Sequence, residues 1–121
     1  MRWRIRVVGK HRSGMLRACR WFLRRSGLAG RKRTIVIRVV PYSKIRCYGT
    51  SEQVKEGCYE CFVAEQDEAT MTSTLLHEMV HVEQWERGSW QGEGEREALR
   101  REKELMKEHG RWQSSRFPRR K

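Results

Sequence analysis

The sequence predicts an α+β domain, a small sheet from the first half of the chain followed by two long helices. Three observations carry that prediction. Residues 34–40 (TIVIRVV) are a β-branched run, the signature of a buried strand. Residues 3–8 alternate apolar and basic side chains, the period-two pattern of a half-buried strand. Residues 71–86 and 95–109 are rich in helix formers, and they follow the strands instead of alternating with them. That order argues against a doubly wound fold.

Taken in order, the first strand ends at a break over residues 9–14. Residues 15–25 then place Met15, Leu16, Cys19, Trp21, Phe22 and Leu23 at roughly helical spacing, with Arg17, Arg20, Arg24 and Arg25 on the wet face. Gly27 and Gly30 end that helix and Pro41 closes the following strand. Residues 45–49 and 58–64 read as two further short strands, joined across the polar stretch 50–57 as a hairpin with a long loop. Residues 67–72 offer several helix caps, and the next helix runs from about 71 to 85 or 86. A glycine-rich loop over 88–94 includes Trp90, which with Trp85 flanks that helix end. The last helix starts near Glu95 and is expected to stop at Gly110. One domain over residues 1–110 and a basic, flexible tail over 111–121 follow.

Charge is distributed unevenly. Residues 1–46 carry fifteen Lys or Arg and no acid; residues 47–98 carry three bases and twelve acids; residues 99–121 carry nine bases and three acids. An acidic middle between two basic arms points to a polyanionic partner, nucleic acid through the N- and C-terminal segments. No run approaches the ~20 apolar residues of a membrane span, and the N-terminus lacks the apolar block of a signal peptide. A cytoplasmic protein without membrane attachment is expected. Four cysteines (Cys19, Cys47, Cys58, Cys61) are too few and too unevenly spaced for a secreted disulfide scaffold. Cys58 and Cys61 form one C-x-x-C with no second pair, and on a strand residues three apart face opposite sides.

The chemistry lies in His77-Glu78-Met79-Val80-His81. Histidines four apart on a helix share a face, so their ring nitrogens converge on one ion at about 2.0–2.1 Å from each. Glu78, directly after the first histidine, reaches a water on the same metal and takes its proton. Zn2+ is the expected metal, with a third protein ligand and one open position. The metzincin pattern fails, because Gln84 and Arg87 stand where it needs Gly and His. Asp67 is the sole Asp and precedes the motif, so the third ligand is a Glu or His. Glu97 is favoured, with Glu93, Glu95 and His109 as alternatives; Glu97 and His109, about 18 Å apart on a straight helix, cannot share an ion.

On the segment 74–81 (TLLHEMVH) and on Glu95-Arg96-Glu97-Ala98, the chain resembles the zincin-type metallopeptidases, in particular minimal gluzincin-like ones. The resemblance implies a zincin-like fold and peptide-bond hydrolysis of a peptide or protein substrate. It also implies zinc held by His77, His81 and Glu97, with Glu78 as general base. It further implies an antiparallel edge strand for substrate just before the motif helix, matched in position by residues 58–64. Two departures stand out: Arg96 and Arg101 occupy the positions of a family Asn and a family Asp, so the acidic partner of a ligand histidine is unassigned. The chain is also similar to SprT-like proteins, which act on DNA-bound proteins and use a His-Gly pair that His109-Gly110 copies farther downstream. The alternative to a peptidase is thus a nucleic-acid-associated protein, either of that type or a non-catalytic basic metal-binding module.

Overall fold

The computed structural model describes residues 1–88 and 94–116. Among these the chain is α+β, with four helices and a four-stranded mixed sheet. In order it runs β1 (Trp3–Val8), α1 (Arg12–Arg25), β2 (Arg33–Val40), α2 (Tyr42–Ile45), β3 (Gly49–Lys55), β4 (Cys58–Ala64), α3 (Glu68–Glu86) and α4 (Gly94–Arg116). The sheet order is β1-β2-β4-β3. β1, β2 and β4 are parallel, and β3 pairs antiparallel with β4.

One face of the sheet makes the core. Trp3, Val7, Ile35, Ile37, Tyr59, Cys61 and Val63 alternate inward and meet Met15, Phe22 and Leu23 of α1 and Met71, Leu75, Met79 and Val82 of α3. Side chains of this size each stabilise by about 1.5–3 kcal/mol when fully buried. Among the described residues the other face carries no helix layer; Arg4, Arg6, Thr34, Val36, Arg38, Glu60 and Phe62 are exposed or half-buried there.

Three expectations are corrected. Residues 45–49 are not a strand: Tyr42–Ile45 is a short helix, and the strand is Gly49–Lys55. β3 is an edge strand exposed along most of its length, so nothing requires it to be apolar, and its polar sequence reads as loop. The hairpin loop is correspondingly short, turning at Glu56-Gly57, where Gly57 takes φ 78°. Third, the last helix does not stop at Gly110 but runs to Arg116. A mid-helix glycine costs only about 1 kcal/mol. Here Glu108 and His109, just before it, are tied to α1 by the Arg25–Glu108 ion pair and by a Trp21–His109 ring contact at 5.1 Å. Trp90 and Glu93, and positions 117–121 of the basic tail, lie outside the described residues.

Candidate metal centre

α3 is launched by Asp67, whose carboxylate accepts from the Thr70 backbone N–H at 3.0 Å and from its hydroxyl at 2.7 Å. Those two bonds hold the Asp67 carboxyl below its ordinary value. The helix is buried on most sides, so its polar residues at 77, 78 and 81 are held inside the protein, with His77 9 %, Glu78 5 % and His81 3 % exposed. The imidazoles of His77 and His81 lie edge to face, centroids 5.1 Å apart, as a four-residue spacing on one helix dictates.

Glu95, in the first turn of α4, closes the group. Its two carboxylate oxygens stand 2.7 Å from His77 Nε2 and 3.0 Å from His81 Nε2. One donor atom from each of the three residues falls within 4.8 Å of the others.

The outer nitrogens are also engaged. His77 Nδ1 lies 2.9 Å from Glu102 Oε2, and the Ser73 hydroxyl donates to the other Glu102 oxygen at 3.0 Å. His81 Nδ1 lies 2.9 Å from Gln84 Oε1. The Gln84 amide is oriented by its own donors, since Nε2 gives to the Gly94 carbonyl at 2.9 Å and to Glu97 Oε1 at 2.7 Å. Both Nδ1 atoms therefore face acceptors, and in the tautomer with the proton on Nδ1 both Nε2 lone pairs point at the Glu95 carboxylate. A cluster of lone pairs with no donor among its members is satisfied by a cation or by added protons, and the donor set of two imidazoles and one carboxylate suits zinc.

Glu78 lies beside this group. The Ser51 hydroxyl on β3 donates to its Oε1 at 2.7 Å. Burial pushes the Glu78 carboxyl above its ordinary value, and the Ser51 bond offsets only part of this. Gly49 makes the approach of β3 possible: a Cβ there would stand 2.5 Å from Thr74 Cγ2 and 3.2 Å from Glu78 Oε2. A cleft of about 480 Å3 opens over the cluster, with Tyr48 on one wall and Leu99 on the other, both exposed.

The structure brings His77, Glu78 and His81 together as the motif implies, but it places Glu95, not Glu97, against the histidines. Ala98 and Leu105 are buried and fix the rotation of α4. Residues 95 and 97 differ by ~200° around a helix, so only one of them faces α3's histidines. Glu97 turns to Gln84 instead. His109 is ~21 Å further along α4 than Glu95. It is buried between Trp21 and Trp112, and its Nε2 has no hydrogen-bond partner among the described residues.

Glu102 and Ser51 were not singled out from sequence. For Glu102 a signal existed, since it lies seven residues after Glu95, two turns on along the same face; Ser51 had none. Arg101, at the position of a family Asp, pairs with Glu83 at 2.9 Å and ties α4 to α3. The strand 58–64 is not the edge strand: β4 lies between β2 and β3, and β3 is the edge beside the cleft. Cys58 and Cys61 face opposite sides, and all four cysteines are free thiols. Among the described residues no second metal-ligating cluster occurs, and no helix is long and apolar enough to cross a membrane. Comparison of the chain with family models, with curated proteins and with solved structures found no match.

Proposed function

We propose that this chain is a zinc-dependent peptidase of zincin-like architecture, with His77, His81 and Glu95 holding the ion and Glu78 acting as general base. The observation that carries the reading is the convergence of His77 Nε2, His81 Nε2 and the Glu95 carboxylate beside a second, buried carboxylate that belongs to none of their ion pairs. Two histidines and a glutamate with a fourth position open to a cleft are the ligand set of a catalytic rather than a structural zinc. When bound, zinc supplies a Lewis acid and lowers the pKa of a coordinated water to about 7.

The chain's own residues supply the rest. Glu102 and Gln84 hold both imidazoles in the tautomer that presents Nε2 to the ion. Glu78 takes a proton from water in the cleft and returns it to the leaving amine. A carboxylate with a raised pKa is the stronger base and the readier donor for that exchange. Ser51 holds one Glu78 oxygen and leaves the other to act. The substrate reading rests on β3, whose outer edge is unpaired in the sheet, lies beside the cleft and can pair with an extended peptide.

Metal analysis together with cleavage of an unfolded protein substrate tests this. The expected result is about one zinc per chain, lost in His77→Ala and in Glu95→Ala and kept in Glu78→Gln, with cleavage lost in the first two and cut about 10^3-fold in the third. Zinc bound without cleavage of any unfolded substrate overturns the peptidase and leaves a metal-binding module. Absence of stoichiometric zinc overturns the metal centre itself.

A further inference from the structure

We infer that the seam between α1 and the C-terminal half of α4 is a docking surface for the phosphate backbone of duplex DNA. The inference goes beyond the peptidase reading and does not depend on it.

The fifteen cations of residues 1–46 and the nine of residues 99–121 are separated in the chain by the acidic middle. Among the described residues the fold brings part of each group together, α1 from the first and the C-terminal half of α4 from the second. Trp21 of α1 packs edge-on against His109 of α4 at 5.1 Å, His109 lies 5.5 Å from Trp112, and Arg25 makes a two-point ion pair with Glu108. Because α1 turns Met15, Ala18, Cys19, Phe22 and Leu23 inward, Arg17, Arg20 and Arg24 fall at three- and four-residue spacing on its outer face. Successive guanidiniums thus stand about one turn, ~5.4 Å, apart along one side of the helix. Arg20 and Arg24 are exposed and have no acidic partner among the described residues. Exposed Arg111 lies one turn beyond Glu108 on the other side of the seam, and Glu108 is itself occupied by Arg25.

A row of guanidiniums without intervening acids is the arrangement that neutralises successive phosphates, because each planar fork matches two phosphate oxygens. The partner is duplex DNA rather than single strand because, among the described residues, the seam exposes no aromatic platform for unpaired bases. Trp21 and Trp112 are half-buried and committed to His109. It is not a lipid surface because, among the described residues, none of the exposed large apolar side chains, Met1, Val8, Tyr42, Tyr48, Val54 and Leu99, lies on α1 or on the C-terminal half of α4. The open sheet face also carries arginines, but Arg38 there is paired with Glu60 at 2.8 Å and Glu52 stands opposite Glu60. The metal-site cleft lies at the other end of α4, beside β3 at the far edge of the sheet from β1, so a duplex on the seam leaves it open.

The test is fluorescence anisotropy of a labelled duplex of about 20 base pairs, titrated with the full chain at several salt concentrations. The wild type is expected to give a slope of log K against log salt of about −3 to −4, for roughly four phosphates at ~0.9 each. Arg17→Gln/Arg20→Gln/Arg24→Gln should reduce that slope by about 2.7 and weaken binding at least tenfold at about 0.1 M salt. Arg2→Gln/Arg4→Gln/Arg6→Gln removes the same charge from β1 and the residue just before it, and should change the slope by less than about 1. If the α1 triple does not fold, Arg20→Gln/Arg24→Gln carries the same test with a change of about 1.8. Equal losses in the two triples reduce the effect to net charge and overturn the surface. So does no duplex binding at about 0.05 M salt, or binding of single strands or phosphatidylserine vesicles as tight as of duplex.

Discussion

Glu78 and Glu86 are carboxylates of one helix, α3, both buried against the sheet, and their surroundings differ. Glu86, with a side chain only 3 % exposed, accepts from the Tyr59 hydroxyl and pairs with Arg33 at 2.9 Å and Arg31 at 3.0 Å. Burial alone would raise its carboxyl, but bonds from Tyr59, Arg33 and Arg31 hold it below the ordinary value. Glu78 is 5 % exposed and receives one neutral hydroxyl, so burial prevails and its carboxyl is raised. Burial is deeper at Glu78, and at Glu86 the hydroxyl and the two guanidiniums outweigh what burial does. Where donors are plentiful the carboxylate fastens α3 to the sheet. Where they are scarce it is held beside two imidazoles and a cleft, at a cost in stability.

The sharpest way to break this contrast is to neutralise each carboxylate in turn. Glu78→Gln is expected to cut kcat about 10^3-fold, roughly 4 kcal/mol of barrier, while a urea melt of the metal-free chain stays at or above the wild-type midpoint. A clear drop in that midpoint would make Glu78 structural. Glu86→Gln should do the reverse. About 3 kcal/mol of stability should be lost, near the low end for breaking a buried pair because both guanidiniums keep some water, with zinc content unchanged. Unaltered stability in that variant would dissolve the comparison from the other side.

Smaller effects sharpen it. Glu102→Gln keeps the hydrogen-bonding shape beside His77 but removes the charge, and zinc affinity in a competition titration should fall about 10- to 100-fold. An affinity within twofold of wild type would remove Glu102 from the site. The pH dependence of stability separates the two carboxylates as well. Glu86 has a folded value below its ordinary 4.5, so its contribution is complete above about pH 4.5 and is lost as pH falls through the folded value. Urea midpoints from pH 6 to about 3 should therefore fall more steeply for wild type than for Glu86→Gln. Parallel curves would show that the Glu86 cluster contributes no linkage.

Much of the framework was legible in the chain. Residues 34–40 and the segment around His77 declared themselves through β-branching, through Asp67 as a cap, and through an apolar helix carrying three polar residues on the site side. β3 was not legible because an edge strand open to water carries no hydrophobic signal. The continuation of α4 through Gly110 was not, because the contacts of Glu108 and His109 that hold this part of the helix come from α1, more than eighty residues away. Glu95 and Glu97 are equivalent by composition and by distance from the motif; burial of Ala98 and Leu105 made the choice between them.

The sequence by itself determined the relation of His77, Glu78 and His81, because helical pitch fixes how residues one and four positions apart face. It also determined that cations crowd both ends of the chain around an acidic middle. Tertiary structure alone decided that Glu95 joins His77 and His81, that Ser51 reaches Glu78, and that α1 meets the C-terminal half of α4. The physical reason is that local periodicity sets geometry within an element, whereas the rotation and docking of one element on another are set by which side chains are buried between them.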